Sequence, residues 1–228
     1  MCQPKYLIIF DCDGVLVDSE KISQEVWVDF LNKYDIKLNP REFQRRYIGL
    51  DGVRVKLLVE KEFNIVLPED FLDNVKKKKK EIYKKRLTLI KGVSNCLNLL
   101  DDYIMCVASA NSVDTLRYIM ELVGISHFFG DNLFSAELVE KGKPAPDLFL
   151  YISNKFSINP NNCIVIEDTV NGINAGKSAN MQVLGFVGGS HCDEDYIERL
   201  KSSNPIGFLS EMRELPEKII EITTCKEL

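Results

Sequence analysis

The chain has 228 residues, enough for one large domain or for a domain that carries an insertion. Hydrophobic residues make up 45% of it and charged residues 28%, and no apolar stretch approaches the roughly 20 residues that a membrane-spanning helix needs. The formal net charge of −5 gives no general attraction to nucleic-acid phosphates. We therefore expect a globular protein that uses neither a membrane nor a nucleic acid as partner.

The cysteines and the N-terminal segment indicate the compartment. Seven cysteines without CxxC spacing predict reduced thiols rather than a disulfide framework or a structural zinc site. The N-terminal apolar run YLIIF is too short for a signal peptide. We expect a cytoplasmic protein, and we expect a monomer because no heptad pattern or apolar interface strip is evident.

Four short apolar runs predict buried strands, with helical patterns between them. The apolar residues from Leu116 to Val123, for example, recur at spacings of three and four, which is typical of one helix face. Continuous apolar strands that alternate with helices indicate a parallel sheet covered on both faces. We therefore predict an α/β fold with a doubly wound, Rossmann-like sheet. The predicted strands lie at 6–10, 103–108, 163–166 and 182–187.

Roughly ninety residues separate the first two predicted strands, far more than one crossover helix requires. This segment contains four helical patterns, so it is interpreted as an inserted helical cap over residues 18–86, with residues 1–17 and 87–228 forming the core. The lysine run from Lys76 to Lys80 is interpreted as a solvated helix face, and a basic docking patch is the alternative. The four patterns lie at 19–34, 40–47, 51–63 and 69–86.

Polar side chains follow three of the predicted strands. Asp11 and Asp13 come after the first strand, Ser109 after the second, and Glu167 and Asp168 after the third. Ligands of open parallel sheets bind outside the carboxyl ends of the strands, so these groups are expected to converge on one crevice. The loop EKGKPAPD adds Lys143, which precedes the third of these strands in the chain.

Clustered carboxylates predict a divalent metal site. Asp11, Asp13 and Asp168 would place three carboxylates close together, which is unfavourable unless a cation offsets their charge. Oxygen ligands with few histidines suit Mg²⁺ rather than zinc. A metal in this position can hold a phosphate oxygen and so let an anionic substrate approach carboxylates.

The two N-terminal aspartates suit phosphoryl transfer. One can attack phosphorus to form an aspartyl-phosphate, while the other gives a proton to the leaving alcohol and later takes one from water. The backbone amides near Ala110 and Asn111, with Ser109 and Lys143, would hold the phosphate oxygens. The helix after Ser109 is expected to begin with Asn111 or Ser112 as its N-cap.

At these residues the sequence resembles the haloacid dehalogenase-like hydrolases, in particular their phosphatase branch with a helical cap after the first strand. The matching motifs occur in order as FDCDGVLVDSE, VASAN, KGKPAPD and IVIEDTVNGINAGKSANM. The resemblance implies that Asp11 is the nucleophile and Asp13 the acid/base. It also implies that Asp168 and the backbone carbonyl of Asp13 bind the metal, and that Glu167 acts on the metal through a water or another ligand.

Three alternatives to a phosphatase remain open. A β-phosphoglucomutase-like mutase is expected to carry a histidine in the first cap helix and an arginine after the cap glycine, and Ser23 and Gly52 stand there instead. A dehalogenase would use the same nucleophile on carbon, where a metal clamp on phosphate has no role. A non-catalytic protein that binds a phosphorylated metabolite is the alternative from a different class.

The cap is expected to choose the substrate because it would close over the crevice. In the segment RRYIGLDGVRVK, Gly49 allows a tight turn, and Arg45 or Arg54 is a candidate for an anionic group of the substrate. The favoured function is a Mg²⁺-dependent phosphatase of a small phosphorylated metabolite. A sugar phosphate is the favoured class.

Overall fold

The computed structural model describes residues 6–224. Its centre is a six-stranded parallel sheet in the order β3-β2-β1-β4-β5-β6, with β1 and β4 at the middle. The chain order therefore reverses between β1 and β4, which is where ligands bind in sheets of this kind. The strands are β1 Leu7–Phe10, β2 Ile104–Ser109, β3 Leu133–Ser135, β4 Cys163–Glu167, β5 Gln182–Phe186 and β6 Gly207–Leu209.

Helices fill both faces of the sheet and the insertion after β1. Four of them, α1 to α4, follow one another between β1 and the first helix of the core. Their bounds are α1 Glu20–Asn32, α2 Pro40–Tyr47, α3 Gly52–Phe63 and α4 Phe71–Arg86. The remaining helices are α5 Val93–Leu99, α6 Val113–Leu122, α7 Ser126–Phe129, α8 Asp147–Phe156, α9 Val170–Ser178, α10 Glu194–Lys201 and α11 Leu215–Thr224.

Short polar side chains begin several of these helices, as their free backbone amides require. Asn39 and Glu42 form a capping box at α2, with Pro40 as its first residue. Asp51 accepts a hydrogen bond from the backbone of Arg54 at the start of α3. These local signals explain why the helical patterns of the insertion could be located from the sequence.

The alternation of side chains along β1 divides the core into two layers. Ile8 and Phe10 pack on one face of the sheet, and Leu7 and Ile9 pack on the other. Helices α1 to α4 have an apolar cluster of their own, in which the Trp27 ring lies 5.6 Å from that of Phe71. The insertion is thus a helical layer with its own core, packed beside a doubly wound sheet.

The α/β fold predicted from the sequence is confirmed, and so are the four predicted strands, to within one or two residues. Strands β3 and β6 were not predicted, because they have three residues each and offer too little apolar pattern to recognise. Among residues 6–224, no helix combines the length and the apolar composition needed to cross a bilayer.

Candidate active site

The carboxyl ends of β1, β2 and β4 open into one cavity of about 380 Å³. Asp11 directly follows β1, Ser109 ends β2 and Glu167 ends β4, and all three line the cavity. Asp13 and Lys143 line it as well. The volume falls within the range of about 300–1,000 Å³ that is typical of small-molecule sites. The structure therefore brings together the polar residues that the strand-end argument selected, except Asp168, which is fully buried and outside the lining.

Lys143 connects the two central strands through their acidic residues. Its ammonium lies 2.6 Å from Asp11 Oδ1 and 2.5 Å from Glu167 Oε1, and it donates to the carbonyl of Ala108 at 3.0 Å. Burial alone would lower the pKa of Lys143, but the charges of Asp11 and Glu167 raise it above its usual value. The lysine therefore stays positively charged beside the two carboxylates.

The Asp11 carboxyl is buried at 8% exposure. Burial raises its pKa well above the usual range; the Lys143 ammonium opposes that rise, and the carboxylates of Glu167 and Asp168 add to it. A cation bound near Asp11 would oppose this rise and favour the ionised carboxylate.

The carboxylate of Asp13 is held by two donors that the sequence did not reveal as a pair. Ser19 Oγ donates to Oδ1 at 2.5 Å, and Asn111 Nδ2 donates to Oδ2 at 2.5 Å. The three carboxylates are near one another, since the charge of Asp13 raises the pKa of both Asp11 and Asp168, but the oxygens of Asp13 are taken up by these two donors. Consistently, no three His, Cys, Asp or Glu side chains within residues 6–224 form a metal-ligating group.

The carboxylate oxygens of Asp168 are buried and accept no hydrogen bond from the described residues. His191 Nε2 lies 3.1 Å from Oδ2. Burial and the neighbouring Glu167 raise the pKa of the Asp168 carboxyl. Such unsatisfied oxygens are costly unless a cation or a water completes them. With Asp11 nearby, they are the observation that fits a divalent metal at this end of the sheet.

Glu167 is fixed by the start of α9. Its Oε2 accepts from the backbone amide of Thr169 at 3.0 Å and from the Thr169 hydroxyl at 2.9 Å. A Cβ on Gly172 would stand 1.9 Å from the Glu167 carboxyl, so only glycine leaves room for this arrangement. The turn between β4 and α9 therefore aims the other oxygen of Glu167 at Lys143.

The loop after β2 has the form of an anion site. Ser112 caps α6, one of the two expected positions, and both Ser112 and Thr115 line the cavity, so the amino end of α6 faces it. Ser109 and Ala110 line the cavity, as expected. The backbone amide of Asn111 instead donates to Ser109 Oγ at 3.1 Å.

The structure separates the three candidate specificity residues of the insertion. Gly49 lines the cavity, and a Cβ placed on it would come within 3.1 Å of Thr169 in the core. Arg45 instead pairs with Asp195 on α10 at 2.7 Å. Arg54 is exposed and lies outside the lining of the cavity. Neither candidate arginine lines the cavity, because Arg45 on α2 is turned toward α10 and Arg54 on α3 toward solvent.

The positive charge that the insertion contributes comes from the lysine run. The run is solvent-exposed as predicted, except for the half-buried Lys79, but Lys76, Lys79 and Lys80 of α4 also line the cavity. Glu20, at the start of α1, lines the cavity too, and burial followed by the Asp13 charge raises its pKa to about 7. The helical spacing of Lys76, Lys79 and Lys80 predicts that they share one face of α4, but it does not predict whether that face contacts the cavity or solvent.

Comparison with known proteins agrees with the fold. A family model described as haloacid dehalogenase-like hydrolase matches residues 8–186. The chain is 29% identical to 6-phosphogluconate phosphatase of Escherichia coli over 185 residues, which cover 81% of this chain and 83% of that protein. It is 27% identical to the phosphorylated carbohydrates phosphatase of Thermotoga maritima over 186 residues, covering 79% and 84%. A solved haloacid dehalogenase-like protein of unknown function from Agrobacterium tumefaciens superposes with a TM-score of 0.82 at 33% identity, covering 96% and 99% of the two chains.

Proposed function

The chain belongs to the haloacid dehalogenase-like hydrolases, and on that premise we propose that it is a Mg²⁺-dependent phosphatase that hydrolyses a phosphorylated carbohydrate through an aspartyl-phosphate. The observation that carries the proposal is the position of Asp11. This buried carboxylate directly follows the central strand β1, lines a cavity of ligand size and is paired with a charged lysine. A nucleophile that must meet an anion requires this combination of confinement and positive charge.

In the first half of the reaction, Asp11 attacks phosphorus and the bond from phosphorus to the leaving oxygen breaks. Asp13 gives that oxygen a proton, so the product leaves as an alcohol. In the second half, water attacks the aspartyl-phosphate, and Asp13 takes the proton of that water. Inorganic phosphate is released, and Asp11 is regenerated.

The neighbouring residues position these two carboxylates and the phosphate. Ser19 and Asn111 orient the Asp13 carboxylate from opposite oxygens. Lys143 offsets the negative charge of the phosphoryl group in transfer, and Ser109 with the amino end of α6 binds its oxygens. Ser109 ends β2 and Ser112 caps α6, and the ammonium of Lys143 is held by Asp11 and Glu167, which limits the freedom of these groups before substrate arrives.

A divalent cation completes the site in this proposal. Asp11, the backbone carbonyl of Asp13 and Asp168 would hold it, and Glu167 would support it indirectly. These are oxygen ligands, which is the donor set that Mg²⁺ prefers. When bound, the cation supplies positive charge that offsets the carboxylates and the substrate phosphate. The buried oxygens of Asp168, which accept no hydrogen bond from the described residues, support this assignment.

Transfer to water is favoured over transfer within a sugar. Ser23 and Gly52, the positions at which a mutase of the β-phosphoglucomutase kind is expected to carry histidine and arginine, both line the cavity. Ser23 has no imidazole to act as acid/base, and Gly52 has no guanidinium to bind a phosphate, so the two groups expected of such a mutase are missing at these positions. The printed names of two relatives, 6-phosphogluconate phosphatase and phosphorylated carbohydrates phosphatase, support a phosphorylated carbohydrate as the substrate class.

The test is phosphate release from a panel of sugar and polyol phosphates in Mg²⁺. We expect turnover that a chelator abolishes and Mg²⁺ restores, and that Asp11→Asn lacks. Asp29→Asn, at an exposed position of α1, is the matched control and should keep wild-type rates. Turnover that survives in Asp11→Asn would overturn the assignment of the nucleophile.

A further inference from the structure

We propose that the α4 residues Lys76, Lys79 and Lys80, called here the lysine face, bind a second anionic group of the substrate. The proposal rests on the proposed phosphatase function and narrows its substrate class. The substrate would then carry negative charge at both ends, one at the phosphate to be removed and another, a carboxylate or second phosphate, under the insertion.

Helical geometry brings these three lysines to one side. Positions 76, 79 and 80 are separated by three and four residues and so share a face of α4, which continues to Tyr83 one turn later. All four residues line the cavity. Lys78 points elsewhere and pairs with Glu81 at 3.5 Å. Three of the five lysines therefore line the cavity; Lys76 and Lys80 do so at its exposed edge, and Lys79 is half-buried.

The lysine face lacks carboxylate partners within the described residues. Among residues 6–224, no carboxylate oxygen comes within 4.0 Å of the ammonium groups of Lys76, Lys79 or Lys80. The ammonium of Lys79 lies 5.6 Å from the ring centre of buried Tyr83, and that of Lys80 lies 5.3 Å from the ring centre of Tyr118. Charges left without counterions on a cavity wall are suited to an anionic ligand.

The charge of one residue of the lysine face, Lys79, acts on an acidic residue that lines the cavity. Lys79 lowers the pKa of the Glu20 carboxyl, against the stronger effects of burial and of Asp13. An alternative role for Lys79 is to offset the negative charge of Glu20 and nothing more. A lysine that merely balanced Glu20 would act on every substrate alike, whereas a lysine that binds substrate charge acts only where that charge exists.

The two positive regions lie on different parts of the fold. Lys143 lies at the strand ends and contacts Asp11 and Glu167, whereas the lysine face belongs to the insertion. A ligand with its phosphate at Asp11 would therefore present its far end to α4. Lys76 and Lys80 also line an adjoining groove, whose other lysines and three carboxylates give it mixed charge, so the case for an anion rests on the cavity side of α4.

The test compares three hexose-derived phosphates that differ at the far end. 6-Phosphogluconate carries a carboxylate there, glucose 1,6-bisphosphate a second phosphate, and sorbitol 6-phosphate a neutral hydroxyl. We expect the wild-type kcat/KM to be at least about tenfold higher for one of the doubly charged compounds than for sorbitol 6-phosphate, since a hydrogen bond to a charged group contributes about 10- to 100-fold. The preferred compound identifies the second group as carboxylate or phosphate.

Variants of α4 test whether the lysine face causes the preference for a doubly charged substrate. Lys79→Met should lower kcat/KM for the preferred compound about 10- to 100-fold, mainly through KM, and leave sorbitol 6-phosphate near its wild-type value. Lys78→Met, on the solvent side of the same helix, should change neither. An equal loss for charged and neutral compounds, or a wild type without preference, would overturn the proposal.

A binding measurement separates this proposal from the phosphatase assignment. If no compound is hydrolysed, calorimetry with 6-phosphogluconate and glucose 1,6-bisphosphate tests the lysine face directly. Affinity that falls at least about tenfold in Lys79→Met but not in Lys78→Met supports the lysine face even where hydrolysis fails. Equal affinity in the two variants, or no binding to wild type, refutes it.

Discussion

Replacing Gly14 by alanine should displace the carboxylate of Asp168. An alanine Cβ at position 14 would stand 1.8 Å from Asp168 Oδ2, whereas real contacts of a Cβ stay above 3.0 Å. One of the two groups must therefore shift by about 1.2 Å, the difference between these distances. The ring of His191 lies 2.8 Å from the same Cβ, so the space around it is closed on that side too.

The chain offers a matched control at Gly124. Both glycines have a φ of +77°, a conformation that costs an alanine roughly 1–2 kcal/mol. A Cβ on Gly124 would have no atom within 4 Å. Both alanine variants should therefore lose a similar backbone contribution to the free energy of unfolding, and only the one at position 14 should also move a proposed metal ligand. A displacement of about 1 Å can cost on the order of 100-fold in rate.

The assay is phosphate release from p-nitrophenyl phosphate at saturating Mg²⁺, with urea denaturation of each variant in parallel. We expect kcat/KM to fall about 100-fold in Gly14→Ala and to stay near wild type in Gly124→Ala. Calorimetric titration with Mg²⁺ should show weaker binding to the first variant only. A folded Gly14→Ala enzyme with wild-type kcat/KM would refute the placement of Asp168 against Gly14.

Three further changes test the electrostatics of the site. Lys143→Met leaves the buried Asp11 without its 2.6 Å partner, so the free energy of unfolding in urea should fall by about 3–5 kcal/mol and phosphate release should fall more than about 100-fold. Asn111→Ala removes the 2.5 Å donor to Asp13, so kcat should fall about 10- to 100-fold with little change in KM. Glu20 has a pKa of about 7 in the folded protein against a usual 4.5, so the free energy of unfolding of the wild type should decrease as pH rises between these values. Glu20→Gln removes this loss. The variant should therefore be more stable than wild type by up to about 3 kcal/mol at pH 8.

Each of these changes has an outcome that contradicts its reasoning. A free energy of unfolding of Lys143→Met equal to that of wild type would mean that water reaches Asp11 and hydrogen-bonds its carboxylate. A rise in KM without loss of kcat in Asn111→Ala would place that amide on the substrate rather than on Asp13. A Glu20→Gln variant whose stability follows the wild-type pH profile would show that Glu20 ionises normally. Asp29→Asn, an exposed position of α1, controls for loss of an acidic side chain.

The core of the fold could be predicted because its signals are local. The apolar runs of β1, β2, β4 and β5 are long enough to recognise, and the caps of α2 and α3 lie beside the residues they serve. In contrast, β3 and β6 have three residues each and gain their stability from neighbouring strands rather than from their own pattern.

Some active-site residues could be predicted from local signals, and others depend on contacts between distant parts of the chain. Asp11, Ser109 and Glu167 could be selected because each stands at the end of a strand, and parallel strands bring their carboxyl ends to one edge. The partnership of Ser19 with Asn111 could not be foreseen, since these residues are 92 positions apart and meet only through Asp13. Contacts of this kind depend on the way the insertion packs on the sheet.

The sequence by itself determined the parallel sheet, the inserted helices and the strand ends that supply the carboxylates, because apolar period and capping are properties of neighbouring residues. Only the tertiary structure decided what the helices of the insertion face. Helical spacing showed that Lys76, Lys79 and Lys80 share a side, but the docking of α4 turned that side to the cavity. The docking of α2 likewise turned Arg45 toward Asp195. The rotation of a helix about its axis is set by the apolar residues it buries against its neighbours, and those neighbours are distant in the chain.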